Sequence, residues 1–181
     1  MPIALTSTFD GAFWFADTAL NHNEYLQPQK LQRLLFVAQA YYAVLHSGQK
    51  LMPAVFVADD AGPIEPNIYK GFINGRPDMD AEYFLDRDVE DFLETIWRRF
   101  GHFSVDYLTK LCKASTCYEQ AFKRGKCEEI TIEAMRLSFA RADNTPSVTQ
   151  VVRPKVMRTQ EGKAVRVKSW VPGTKPPEGK E

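Results

Sequence analysis

The chain is poor in the residues that usually announce a chemistry. It has only three cysteines, Cys112, Cys117 and Cys127, and an odd number cannot be fully paired within one chain. Their spacing fits no common zinc pattern, so reduced thiols are expected, some of them buried in a helical core. The three histidines, His22, His46 and His102, include no pair at the i, i+4 spacing with which one helix presents two metal ligands. Gly62-Pro63-Ile64 is not a phosphate loop, because it has a single glycine and no Lys-Ser/Thr follows. No serine occupies a nucleophile elbow. Nucleophile, base and oxyanion donor cannot be assembled from neighbouring motifs, so the expectation is a non-enzyme that uses no cofactor and no metal. No stretch reaches the roughly 18 apolar residues of a membrane-spanning helix. The N-terminus has no basic segment followed by an apolar run, so no signal peptide is expected and the cytoplasm is the default compartment.

A surplus of either charge is missing as well. The 181 residues hold 23 basic and 23 acidic side chains, a net charge of +0, which argues against general nucleic-acid binding. The neutral total hides a partition. Residues 1–140 carry 14 basic and 19 acidic side chains, net −5, whereas residues 141–181 carry 9 and 4, net +5. What the chain does have is apolar substance. At 44% hydrophobic and 12% aromatic residues it can build one ordinary core without disulfides, and it fits neither a mostly disordered chain nor a polytopic membrane protein.

Helical periodicity dominates the first 140 residues. Phe9, Ala12, Phe13, Ala16 and Leu20 recur on one face of a helix over 8–21. Pro28 suits the first turn of a second helix, which carries Leu31, Leu34, Leu35, Ala38, Tyr42 and Leu45 and ends at Ser47-Gly48. Its unbroken run Leu35-Phe36-Val37-Ala38 predicts burial on most sides. Residues 51–57 read as a short extended segment, and Asp59 to Pro63 as a turn. Pro66 opens a short helix through Ile68, Tyr69 and Phe72. A strong helix over 86–100 has an acidic first turn and Arg98-Arg99 in its last, complementing the helix dipole. Ser104 and Thr131 cap two further helices, and a helical turn is expected near 118–122.

After Asn144-Thr145-Pro146 the texture changes to valine and basic residues. Val148 to Gln160 and Lys163 to Val171, separated by Glu161-Gly162, read as a β-hairpin. The expected organisation is a helical domain over 1–144, a basic hairpin appendage over 145–172 and a tail over 173–181. Arg153, Lys155, Arg158, Arg166 and Trp170 make the appendage a candidate recognition arm. Three readings of it stay open: a protein-binding arm, a nucleic-acid-binding arm of a transcriptional regulator, or a hairpin packed on the acidic body. The acidic clusters, Asp59-Asp60 and the run that includes Asp86 and Asp88, read first as solvated charge and second as docking surfaces for a basic partner.

Two segments resemble a known family. Tyr25 to Tyr42, with Lys30-Leu31-Gln32-Arg33-Leu34-Leu35-Phe36 at its centre, is similar to the opening helix of the Panacea domain of antitoxins. Gly62-Pro63-Ile64 followed by Tyr69-Lys70-Gly71-Phe72 resembles that family's Gly-Pro motif and tyrosine-bearing short helix. Phe100-Gly101-His102-Phe103-Ser104 and Leu108 to Lys113 stand where the family has a Tyr-Gly-x-x-Ser motif and a Thr-His-ended helix; here that helix ends Cys112-Lys113 and no Pro-Trp follows. The resemblance covers about residues 8–142 and is nearest to the SocA type of proteolytic-adaptor antitoxin. It implies a mainly α, compact helical domain. It also implies binding to a cognate toxin protein, SocB-like, which is handed to the unfoldase ClpX and the protease ClpP. With it, the expected partner-binding residues are Asp59, Asp60, Tyr69, Asp86 and Asp88 on the body, and Arg153, Lys155, Arg158, Arg166 and Trp170 on the arm.

Overall fold

The computed structural model describes residues 3–78, 83–142 and 144–152, together with the backbone of 156–158 and 164–166. The chain is mostly helical, with one small antiparallel sheet in its body. The first helix, α1 (Thr8–Asn21), opens on a capping box: Ser7 Oγ accepts from the Phe9 N–H at 3.1 Å, and Asp10 accepts from the Ser7 N–H at 3.0 Å. Its buried face is wider than the expected stripe. Gly11, Trp14, Phe15 and Ala19 join Ala12, Phe13 and Ala16 inside, whereas Leu20 at the helix end lies 56% exposed.

The second helix, α2 (Pro28–Leu45), is the axis of the fold. Every residue from Leu31 to Ala43 is buried, including Gln32, Arg33 and Gln39. α2 packs against α1, α3 (Pro66–Phe72), α4 (Arg87–Phe100), α5 (Val105–Lys113) and α7 (Ile132–Arg141). A helix enclosed on all sides has no water for its polar side chains, so each must find a partner within the protein. Gln39 does so with the segment after the helix: its Oε1 accepts from the Leu51 and Met52 N–H groups, both at 3.1 Å, and its Nε2 donates to the Met52 carbonyl at 3.2 Å. This extended stretch is therefore pinned to α2 instead of pairing as a strand.

The sheet corrects the expected layout of 51–63. Strand β1 (Phe56–Asp59) starts late in the predicted extended segment and runs into the predicted turn, and β2 (Gly62–Ile64) lies wholly within that turn. The two form a tight antiparallel hairpin through Asp60-Ala61, with Asp59 opposite Gly62 and Val57 opposite Ile64. A third strand, β3 (Glu128–Ile130), which the sequence pattern does not show, pairs antiparallel on the other side of β1. Pro63 has no N–H to give, and it sits on the edge strand β2, where none is required.

The remaining helices follow their caps. Ser104 Oγ accepts from the Tyr107 N–H at α5, and Thr131 Oγ1 accepts from the Ala134 N–H at α7. The helical turn expected near 118–122 is longer, α6 (Thr116–Arg124). Aromatic rings knit these elements to α2. Phe36 meets Phe56 of β1 and Phe139 of α7 edge-on at 5.4 and 5.9 Å, and Tyr41 stacks on Phe100 of α4 at 5.8 Å. The loop after α3 is tied to α1 by Arg76, whose Nε donates to Asp17 at 2.6 Å while its guanidinium lies over Phe13.

Val148 does not begin a strand. A capping box between Ser147 and Gln150 opens a helical turn, α8 (Val148–Val151), which buries Val151 against α2 and α4. The preceding residues are held too, since Tyr41 Oη donates to the Pro146 carbonyl at 2.7 Å. Beyond it, the backbone of β4 (Val156–Arg158) pairs antiparallel with β5 (Ala164–Arg166) in a sheet of its own.

Replacing Gln39 with Leu leaves the Leu51 and Met52 amides buried without an acceptor. The expected loss is about 2 kcal/mol of unfolding free energy, read from the urea midpoint at unchanged m-value.

Candidate partner-binding cleft

Two residues of α2 next to each other in sequence hold the β1–β2 hairpin and α3 in place. Gln32 makes a reciprocal pair with Glu65: its Oε1 accepts from the Glu65 N–H at 2.8 Å and its Nε2 donates to the Glu65 carbonyl at 3.3 Å. In backbone terms Gln32 imitates one residue of a neighbouring strand. The Glu65 carboxylate, buried at 1% exposure, caps α3 by accepting from the Ile68 N–H at 2.6 Å and from Asn67 Nδ2 at 3.1 Å.

Arg33 is 2% exposed and reaches under the hairpin. Its Nη1 donates to the Pro63 carbonyl at 2.6 Å, its Nη2 to the Ala61 carbonyl, and its Nε to Thr109 Oγ1 of α5 at 3.1 Å. These acceptors are neutral, and Asp59 supplies only a longer-range attraction, so burial pulls the guanidinium below its ordinary pKa. The fit is close. A Cβ on Gly62 would lie 2.8 Å from the guanidinium carbon, and Gly62 has φ +117, a conformation other residues resist.

This bracing leaves an open cleft of about 430 Å³ between the start of α2, the hairpin and α3. Gln27, Gln29, Gln32 and Arg33 lie on the α2 side, Asp59, Ala61 and Ile64 on the hairpin side, and Tyr69 and Ile73 at the α3 end. Tyr69 and Ile73 are 47% and 55% exposed, so the rim offers an aromatic and an aliphatic side chain that the protein's own core does not use.

The sequence-derived candidates separate in space. Asp59 and Tyr69 line this cleft together. Asp60, at the hairpin tip, does not line it: Lys126 Nζ lies 2.6 Å from its carboxylate and 3.8 Å from that of Asp59, and Lys113 donates to the Asp60 carbonyl at 3.0 Å. Asp86 and Asp88 lie exposed at the start of α4, on another surface; Asp88 is near enough to Tyr42 and His46 of the α2 C-terminal end to act on both electrostatically. Arg153, Lys155 and Trp170 fall outside the described residues, and Arg158 and Arg166 are described in backbone only. Sequence reasoning missed the structural role of Gln32, Arg33 and Glu65. The available signal was the pair Gln32-Arg33 inside an otherwise apolar run, which a fully buried helix tolerates only with partners.

Among the described residues, no group of three or more His, Cys, Asp or Glu side chains is placed to hold a metal ion, and no helix is long and apolar enough to cross a membrane. All three cysteines are free thiols. Cys112 and Cys117 are buried, and burial pushes the Cys112 thiol up to about 12, against the pull of nearby Arg33. Comparison with known proteins adds no relative: no protein-family model, no curated protein and no solved structure matches the chain.

Two outcomes are expected here. Gly62→Ala pushes a Cβ into the Arg33 guanidinium and costs about 2 kcal/mol in chemical denaturation. In the native protein at pH 8, an aromatic disulfide reagent titrates one thiol, Cys127, and all three only after unfolding, because a buried thiol that stays protonated does not react.

Proposed function

We propose that the chain is an antitoxin of the Panacea type, which binds its cognate toxin protein and delivers it to ClpXP as a proteolytic adaptor. The observation that carries this reading is the meeting of the two resembling segments. The Lys-Leu-Gln-Arg helix and the Gly-Pro-Ile-to-Tyr69 stretch are 20 or more residues apart in sequence. Gln32 and Arg33 of the first grip the backbone of the second, and both line one cleft. Motif residues that brace a rimmed cleft, with a tyrosine left outside, suit recognition of a polypeptide better than a scattered set of core positions would.

Chemistry on the toxin is not required of such a protein. Holding the toxin on one surface while a second surface touches the unfoldase raises the toxin's effective concentration at the protease, which is sufficient for delivery. The cleft, with its Tyr69–Ile73 rim, is the surface for the toxin, since an aromatic anchor beside aliphatic contacts typically contributes most of the binding free energy of an interface. The acidic start of α4, which includes Asp86 and Asp88, is left for other contacts.

The test is co-expression with the small protein encoded beside it. A stoichiometric complex by size exclusion and relief of growth arrest are expected, with faster loss of that protein in a ClpXP reaction when the chain is added. Absence of both complex and relief overturns the reading. Within the complex, Tyr69→Ala with Ile73→Ser weakens binding at least tenfold, about 1.4 kcal/mol, at unchanged melting temperature, because both side chains are already exposed in the free protein.

A further inference from the structure

We propose that the cleft takes one amphipathic helix of the partner protein, apolar on the side that meets Tyr69 and Ile73 and carrying a lysine or arginine that reaches Asp59. The inference rests on the reading of this cleft as the partner-binding surface and adds what the partner presents there.

The first observation is the backbone on the hairpin side of the cleft. Ala61, Pro63 and Glu65 alternate along the chain, and all three bond to side chains of α2. Arg33 holds the Ala61 and Pro63 carbonyls, and Gln32 holds the Glu65 N–H and carbonyl. The Ala61 N–H donates to Asp59 Oδ1 at 3.1 Å, and Pro63 has no N–H. This edge therefore has no backbone group left for an added strand. Across the cleft, the start of α2 has no side-chain cap and offers the amides of its first turn, which can meet one group but cannot template a strand. An extended segment laid here would leave its own buried amides and carbonyls unpaired. A helix satisfies its backbone internally and binds through side chains alone.

The second is the rim. Tyr69 and Ile73 stand one helical turn apart, at 47% and 55% exposure. Tyr25 extends the rim. It is 68% exposed, and its hydroxyl lies so close to Gly75, two residues beyond Ile73, that a Cβ there would come within 2.8 Å. Three large side chains that the core does not use fit apolar positions recurring every three or four residues on a docked helix.

The third is charge. Of the two charged residues lining the cleft, Arg33 is 2% exposed and each of its guanidinium nitrogens is engaged. Asp59, with its side chain 24% exposed, is the one that meets solvent. Among the described residues its Oδ2 makes no hydrogen bond, and Lys126 comes no nearer than 3.8 Å. A cation on the occupant complements that oxygen, within a body over residues 1–140 that carries net −5.

Two synthetic peptides of leucine and lysine, identical in composition and about fourteen residues long, or four helical turns, test this by titration into the full isotope-labelled chain. In one the leucines recur at the helical period; in the other they alternate with lysine as in a strand. A third peptide keeps the helical period with glutamate in place of lysine. The helical leucine–lysine peptide is expected to shift the Gln29, Ile64, Tyr69 and Ile73 amide resonances saturably, and to bind at least about tenfold tighter than either other peptide. Tyr69→Ala with Ile73→Ser abolishes those shifts. Asp59→Asn keeps the Oδ1 acceptor for Ala61; it reduces the preference for lysine over glutamate about threefold, the scale of one partly exposed ion pair, and leaves the preference for the helical period. Tighter binding of the alternating peptide assigns the cleft to an extended segment, and tighter binding of the glutamate peptide to an acidic partner. Shifts of the same amides that grow with protein concentration alone assign it to a second copy. Each of these results overturns the proposal, as does the absence of a saturable shift. The peptides contain nothing of the small protein encoded beside the chain, so a failed titration and a missing complex with that protein are separate results.

Discussion

The structure depends on a helix that has no wet side. From Leu31 to Ala43 α2 is buried throughout, yet it carries Gln32, Arg33 and Gln39. Polar side chains without partners at such positions would each cost about 1–3 kcal/mol. They are affordable because each is paired with backbone that is itself short of partners: Gln39 with the 51–52 amides, Gln32 with Glu65, Arg33 with the carbonyls of the hairpin. The same pairs do two tasks. They satisfy the helix, and they give non-helical segments a defined place against it.

The consequence is clearest at the sheet. An edge strand normally leaves a row of carbonyl and amide groups open to another chain. On β2 that edge is closed from within, because Arg33 takes the Pro63 carbonyl and Gln32 takes both backbone groups of Glu65 just beyond the strand. Arg124 takes the Glu129 carbonyl of β3 at 2.9 Å. A three-stranded sheet of such short strands is thus kept from recruiting further strands, and the surface left for recognition is the side-chain rim of Tyr69 and Ile73. Position, more than chemistry, is what the buried polar residues contribute to the cleft.

Much of the helical frame was legible. The starts of α2, α3, α5 and α7 are written in Pro28, Pro66, Ser104 and Thr131, whose effects reach only one turn and so survive any tertiary context. The β-branched residues Val148, Thr149 and Val151 misled for the same reason in reverse. β-Branched residues favour strand on average, but the local Ser147–Gln150 capping box and the burial of Val151 outweigh that preference. The hairpin was hidden because its strands are only four and three residues long, too short for alternation to register, and because its turn residues alone carried a visible signal.

The sequence by itself determined the starts of α2, α3, α5 and α7, the free thiols, and the opposition of an acidic body to a basic C-terminal segment, since caps, cysteine count and charge are local or additive properties. Only the tertiary structure decided that β3 joins β1, that Gln32 and Arg33 are braces, and that Asp59 and Tyr69 share a cleft while Asp60, Asp86 and Asp88 do not. The physical reason is distance along the chain. Gln32 meets a residue 33 positions away and Arg33 one 76 positions away. Such pairings follow from how buried surfaces fit together, which no residue's own preference encodes.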